Sequence, residues 1–540
     1  MRHTLKLAAN TLALLSLGIA YNAISGCSLI TDSGIAKGGI GAQCSEDSDC
    51  QASTCENGLC TIKCTNNDQC PEPSKCLKEK CQNELNVAGI WVGLAVVAEG
   101  WTITHHEGIL EAQDELGYIN YDYAEEILAT SSHADAVVES FINPTNPNKK
   151  PAKVIIANSL DHTQHVKRWS QQYPDVTFLH CSGKANNTNV ASFYGRMEHA
   201  MYVAGRVGAK KARVSPETGK KHLGFVGSFI TAEIIRHINA FTLGARHESP
   251  DAQVEVRWLG FWYDVNFDDH EWKYTPLHMG EGATEQDLSG EEYLAAKLID
   301  SGADVIMHNL DNQLVPGYIH KHITDGTLKN WKDNFKDFDV WSIASDNIYG
   351  YLDENKNPYA NTIGSAYWKW GPAYADMFDA IHRGQFQPID YMYPLTSNTD
   401  PNVVGFDRVS VVGFSKSPVY SGIDNIALKR MIDDVAPKIG ETDNKPIFLI
   451  DDREINDQEW RSMCWFVPGV VERRNPNDPT SPLDDARVPS AQYVGKQGAK
   501  KVPPEGTPRQ PTTTPEVLFS FVEEHPEVMW NCDINSAGAQ

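Results

Sequence analysis

"KHLGFVGSFITAEIIRHINAFTLGARHESP" (residues 221–250) changes hydrophobic period part-way along. "HLGFV" is an apolar run of strand length. From Ile230 onward, Ile230, Ile234, Ile238 and Phe241 recur on one helical face, the stripe of a helix laid on a sheet. A strand passing directly into such a helix is half of a βαβ unit, and a lone unit cannot bury both of its apolar faces.

The same alternation extends in both directions. "VAGIWVGLAVV" (87–97) precedes "HEGILEAQDELG" (106–117), "AKVIIAN" (152–158) precedes "DHTQHVKRWSQQYP" (161–174), and "DVTFLHCSG" (175–183) precedes "YGRMEHAMYVAGRVGAKKA" (194–212). Downstream come the strand-like "AQVEVRWLGFW" (252–262), the helix "GEEYLAAKLIDSG" (290–302) and the strand "ADVIMHNLD" (303–311). Alternation sustained over so much of a 540-residue chain implies parallel, doubly wound sheets in two α/β lobes rather than one. The bilobal domain is expected over about 86–470, with lobe 1 at about 86–213 plus a return crossing and lobe 2 at about 220–342 plus the C-terminal part.

Composition narrows the function. The formal charge of −24 leaves no basic patch to neutralise phosphates, which excludes nucleic acid or an anionic membrane surface as the main partner. No G-x-G-x-x-G follows the first strand, no P-loop or H-E-x-x-H is present, and "VGFSKS" (412–417) misses the nucleophile elbow G-x-S-x-G. Neither an enzyme, a cofactor nor a metal centre is expected. His105, His106 and Glu107 read as the start of a helix, without further ligands at metal spacing.

The N-terminus and the cysteines indicate an exported chain. Arg2, His3 and Lys6 precede a short apolar run, and Ile24-Ser25-Gly26-Cys27 resembles a bacterial lipobox. Residues 1–26 are read as a lipoprotein signal peptide, Cys27 as the lipidated residue and 27–43 as a linker, which anchors the protein by lipid to a membrane of the cell envelope, facing the periplasm or the exterior. Cys44, Cys50, Cys55, Cys60, Cys64, Cys70, Cys76 and Cys81 form two copies of one spacing pattern over 44–81. Units of that size lack an adequate core, so disulfides are expected, with the connectivity open; the module reads as a stalk or spacer. Cys181 reads as a buried free thiol, and Cys464 and Cys532 are candidates to pair. Residues 471–540 form an extension that is Pro/Thr-rich in part.

In open α/β sheets ligands bind beyond the carboxyl ends of the strands. The residues expected there are Glu99 and Trp101, then Asn158, Ser159 and His162, then Phe229, then Trp262, Tyr263 and Asp264, then Asn309 and Asp311, and finally Asp346. Aromatics, amides and carboxylates with few cations suit a neutral, flat, hydrogen-bonding ligand.

These stretches carry a resemblance. "EGWTITHHEG" (99–108), "YPDVTFLHCSG" (173–183), "SFYGRMEHAMYVAGRVG" (192–208), "GFVGSFITAEIIRHINAFTLGAR" (224–246), "PDAQVEVRWLGFWYD" (250–264) and "AAKLIDSGADVIMHNLDN" (295–312) resemble, in that order, the basic membrane protein family: lipoprotein substrate-binding proteins of ABC transporters related to the purine nucleoside receptor. The resemblance spans about 88–375 and implies two Rossmann-like lobes of the type I periplasmic binding protein class, preceded here by the disulfide-rich module. It implies a purine nucleoside or base held between Trp101 and Trp262, with Asp346 and Asp311 as polar contacts, and an ABC permease as partner. There are departures. Ala98 stands where the family commonly has Asp, Lys369 is only a loose counterpart of a family lysine, and "NFDDHEWKYTPLHMGEGATEQD" (266–287) is inserted, as read here, beside the cleft. The alternative function is a surface receptor or adhesin-like lipoprotein built on the same fold.

Overall fold

The computed structural model describes residues 42–486 except 51–53, 57–58, 72–73, 97–99, 129–132, 216–217, 229, 261, 265–271, 329–338, 397–409, 436–448, 451–452, 455–464 and 474–482. The signal peptide, Cys27, Ala98, Glu99, Phe229, Cys464, Cys532 and most of 471–540 lie outside the described residues.

The cysteine-rich module is two copies of one unit. Each copy has a 3-10 turn followed by a hairpin: β1 (Thr54–Glu56) with β2 (Leu59–Thr61), then β3 (Lys75–Leu77) with β4 (Lys80–Gln82). The pairing is Cys44–Cys55 and Cys50–Cys60 in the first copy, Cys64–Cys76 and Cys70–Cys81 in the second. The copies also share a polar detail, because Asp47 Oδ1 accepts from Cys55 N at 2.7 Å and Asn67 Oδ1 from Cys76 N at 2.9 Å. Each bridge closes a loop of 10–12 residues, worth about 3 kcal/mol of chain entropy in so small a unit. Peptide mapping without reduction is expected to recover these four pairs and no link between the copies; a Cys44–Cys64 or similar cross-link would refute the duplication.

The body begins at β5 (Leu85–Ile90), followed by α1 (Trp101–Leu116), β6 (Ile119–Ala124), α2 (Ala134–Ile142), β7 (Val154–Ala157), α3 (Thr163–Gln172), β8 (Thr177–Cys181), β9 (Val190–Gly195) and α4 (Met197–Lys211). The next stretch runs β10 (His222–Gly227), α5 (Ala232–Glu248), β11 (Gln253–Trp258), the hairpin β12 (Trp272–Tyr274) and β13 (Gln286–Leu288), α6 (Gly290–Asp300), β14 (Val305–His308), α7 (Leu314–Thr324), β15 (Trp341–Asp346), β16 (Thr362–Trp368) and α8 (Gly371–His382). The chain then adds β17 (Asp390–Tyr393), β18 (Val412–Lys416), α9 (Asn425–Asp433), the small hairpin β19 (Leu449–Ile450) and β20 (Arg453–Glu454), and β21 (Val470–Arg473) with β22 (Leu483–Asp485).

Two separate sheets result, as the alternation implies. The first has the order β17-β9-β8-β7-β5-β6 and is parallel throughout. The second, β18-β16-β15-β14-β10-β11-β21-β22, is parallel except where β18 and β22 pair antiparallel at its two edges. The chain therefore crosses between sheets more than once: β17 returns to the first sheet, and β18 goes back to the second. The expected lobe boundary near residue 213 needs correction, because α4 packs on α5, β16 and β18, so the first crossing precedes Met197. Its cause is close backbone approach. A Cβ on Gly205 would lie 2.0 Å from Phe241 O and one on Gly244 2.1 Å from Tyr202 O, so α4 and α5 touch where both lack side chains.

The opening stretch folds as expected. Ile230, Ile234, Ile238 and Phe241 are buried in the large core, and Thr231 caps α5 by accepting from Ile234 N at 3.3 Å. Cys181 is a buried free thiol. No helix of the described residues is long and apolar enough to cross a membrane.

Two expectations about peripheral parts change. The module does not stand off as a free stalk. Lys78 Nζ reaches the carbonyls of Asp114 and Glu115 at the carboxyl end of α1, where a cation is favoured, His382 Nε2 bonds Asn83 O at 3.0 Å, and Gln43 donates to Arg383 O at 3.2 Å. The described part of the insertion, 272–287, packs on the second lobe: His278 Nδ1 lies 2.7 Å from Asp300 Oδ1, and Asp300 Oδ2 accepts from Tyr274 OH at 2.5 Å.

Candidate functional site

A cavity of about 290 Å³ opens between the carboxyl ends of the two sheets. The first lobe contributes Trp101 at the start of α1, Ser159 and Asp161 after β7, Ser182 and Lys184 after β8, and Phe193 and Tyr194 on β9. The second lobe contributes Glu233, Arg236 and His237 on α5, Trp262 and Tyr263 after β11, Asn309 and Asp311 after β14, Asp346 ending β15 and Trp368 ending β16.

Of the residues expected from sequence, Trp101, Ser159, Trp262, Tyr263, Asn309, Asp311 and Asp346 line this cavity. Three do not, and each has a structural partner instead. Asn158 is buried as a loop tie, accepting from Val92 N at 3.1 Å and donating to Thr102 Oγ1 at 3.3 Å. His162 is buried, with Nε2 2.6 Å from Ile127 O, and burial drives its pKa down to about 3. Asp264 accepts from Trp272 Nε1 at 3.0 Å and Gly290 N at 2.8 Å, tying the insertion to the start of α6. Lys369 pairs with Glu111 at 3.1 Å and is not among the lining residues. Trp262 follows β11, which β10 precedes in the same sheet.

Trp101 is the first residue of α1, so the helix starts four residues before His105, earlier than expected. Its cap is Gly100 at φ +107°, ψ −140°, a region essentially reserved for glycine. Trp101 Nε1 donates to Asn158 O at 2.6 Å, and the ring meets Trp368 and Trp370 edge-on at centroid distances of 5.4 and 5.5 Å. His105 sits behind this wall, stacked on Trp370 at 4.4 Å and bonded to Tyr374 OH at 2.6 Å. His106 bonds Tyr121 OH at 3.0 Å. Both histidines pack with aromatic rings.

The electrostatics are acidic. Asp161, Glu233, Asp311 and Asp346 all face the cavity, against Lys184 and Arg236. Arg236 is already engaged by Glu198, Nε to Oε2 at 3.3 Å. Burial raises Asp161 to about 6. Asp311 is raised well above the carboxylate range by burial and then by the charges of Asp346, Glu233 and Asp161. Burial likewise raises Asp346 to about 7, although its Oδ1 accepts from Trp368 Nε1 at 3.0 Å and Ser345 Oγ at 3.2 Å. A carboxyl whose folded pKa is raised adds its full share of stability below its unfolded pKa, near 4, and loses it as pH rises through about 7. Asn is isosteric, keeps one acceptor and tolerates the φ of +68° at this residue. Ligand-free Asp346→Asn is therefore expected to melt above the parent at pH 8, with the gap shrinking toward pH 5. A gap independent of pH in differential scanning calorimetry would contradict the buried-carboxyl account.

The two lobes meet beside the aromatic wall. A Cβ on Gly100 would fall 2.3 Å from Asp311 O, so the first lobe's cap and the second lobe's acidic loop are nearly in contact across the cavity mouth.

The strand-end rule does not single out Glu233, Arg236 and His237, because they lie inside a helix. The available signal was a polar i, i+4 pair, Glu233 and His237, at the helix start. Tyr194 and Trp368 were hidden in strands that read as uniformly buried.

Residues 91–270 match the model of the Bmp family, described as ABC transporter substrate-binding protein PnrA-like. A protein of Haloferax volcanii named as an ABC transporter glucose-binding protein is 22% identical over 324 residues, 59% of this chain and 68% of that one. A purine-binding protein of Brucella abortus is 25% identical over 290 residues, 53% of this chain and 66% of that one. A solved ABC transporter solute-binding protein from Conexibacter woesei superposes with a TM-score of 0.43 at 16% identity, covering 65% of this chain and 94% of that one.

Proposed function

We propose, from the match of residues 91–270 to the model of PnrA-like ABC transporter substrate-binding proteins, that this chain captures a purine-type solute between its lobes and presents it to an ABC permease. The observation that carries the reading is the joint lining of one interlobe cavity by Trp101, Trp262, Tyr194 and Trp368 with Asp161, Asp311 and Asp346. Aromatic faces stack on a flat ring, and carboxyl groups hydrogen-bond ribose hydroxyls or ring N–H groups. The similar purine-binding protein of Brucella abortus supports the ligand class. Exported by its signal peptide, the protein would be held to the cell envelope through Cys27, with the docked module fixing the direction in which the cleft faces. Lobe closure would mark the loaded state.

A monosaccharide is the second reading. The same carboxylates serve sugar hydroxyls, and the similar Haloferax volcanii protein is named for glucose. A thermal-shift screen separates the two. A purine nucleoside or base is expected to raise the melting temperature, by mass action, more than glucose or amino acids do at equal concentration. A shift confined to monosaccharides would move the assignment to the second reading.

A further inference from the structure

One buried group facing the cavity has no bonding role in the fold. His237 is 2% exposed, lines the cavity from α5, and neither ring nitrogen has a hydrogen-bond partner among the described residues. Buried polar groups are rarely left so, because an unmade bond in a dry site is costly. Burial, aided by the adjacent Arg236 charge, holds the imidazole in its neutral form, which carries one N–H donor and one bare acceptor nitrogen. Glu233 stands one turn earlier, at i−4, so the two side chains share a helix face, and both line the cavity. Tyr194 OH donates to Glu233 Oε1, which leaves Oε2 for another donor.

Resting on the purine-type reading above, we propose that Glu233 and His237 read the edge of the ligand's ring: the carboxylate accepts a ring N–H while the imidazole N–H donates to the neighbouring carbonyl oxygen. That edge, donor beside acceptor, belongs to a 6-oxopurine. A 6-aminopurine presents the reverse order, a ring acceptor beside an amino donor, and would set lone pair against lone pair at Glu233. Specificity of this kind is strong because a mismatched ligand leaves buried groups unpaired. His237 is a specificity-determining residue on this account.

Calorimetric titration of the full chain with inosine and with adenosine tests it, using His237→Leu, His237→Gln and Glu233→Gln alongside the parent. The parent is expected to bind inosine at least tenfold more tightly than adenosine. His237→Leu should lose about tenfold for inosine and little for adenosine, and His237→Gln, which keeps a donor, should recover part of the loss. Ligand-free His237→Leu should melt at or above the parent temperature, since it removes an unpaired polar group from a buried site; a residue kept for the fold would lower it. Equal affinity of the parent for both nucleosides, a preference for adenosine, or an unchanged preference in both His237 variants would overturn the proposal and leave the purine reading intact. Failure of the parent to bind any of inosine, adenosine, hypoxanthine and adenine would remove the purine reading, and this proposal with it.

Discussion

Gly100→Ala is expected to weaken ligand binding by roughly 10- to 100-fold while leaving the lobes folded. Two effects coincide at this residue. Its backbone sits at φ +107°, ψ −140°, where an L side chain carries strain of about 1–3 kcal/mol. The added Cβ would also lie 2.3 Å from Asp311 O, a backbone atom of the opposite lobe that cannot swing aside as a side chain can. Moving the lobes apart relieves the collision but not the backbone strain, so the collision falls on the closed arrangement and the strain on the stability of the first lobe. An overpacked contact of this kind costs about 1–3 kcal/mol, which at about 1.4 kcal/mol per tenfold gives the stated loss of affinity. Calorimetric titration beside a thermal melt separates the two contributions. Wild-type affinity in the alanine variant would show that the close approach of Gly100 and Asp311 is not needed for binding.

Trp101→Ala and Trp262→Ala are each expected to lower affinity about tenfold or more. A ring stacked on an aromatic side chain gains on the order of 1–3 kcal/mol, and these residues bring one aromatic face from each lobe to the same cavity. Both should also lower stability. Trp101 Nε1 donates to Asn158 O at 2.6 Å and its ring braces Trp368 and Trp370, so its removal also loosens the wall behind it and should lower the melting temperature of the ligand-free protein. Trp262 packs against the large core and against a second apolar cluster that includes Leu294, Leu298 and Ile319, so part of its loss will likewise appear as stability. Phe at either position keeps a stacking face and should restore much of the affinity. If alanine at both positions lowers only the melting temperature, both tryptophans belong to the core.

The two-sheet architecture is legible because parallel strands buried on both faces read as plain apolar runs, and the helices between them carry a 3.6-residue stripe. "HLGFV" and the Ile230, Ile234, Ile238 and Phe241 face show both signals in one stretch, and all four of those residues are buried. The cavity is partly legible for the same reason: strand ends converge, so Trp101, Trp262, Asp311 and Asp346 can be listed from strand positions alone. Asn158, His162 and Asp264 are misread because position after a strand does not tell which way a side chain turns, and each of these turns back to bond a neighbouring loop. Glu233 and His237 are missed because they reach the cavity from inside a helix, where the strand-end rule does not look. The docking of the module by Lys78 on the end of α1 is hidden likewise, since only the folded chain brings residues 78 and 115 together.

The central claim is that a purine-type ring binds in the interlobe cavity between the two tryptophans. Its most direct test is calorimetric titration of the full chain and of Trp262→Ala with the best purine nucleoside from the thermal-shift screen, repeated with glucose. The account predicts one nucleoside site per chain, a loss of about tenfold or more in Trp262→Ala, and weaker or no binding of glucose. Saturable glucose binding with no nucleoside heat, or nucleoside binding unaffected by Trp262→Ala, would contradict it.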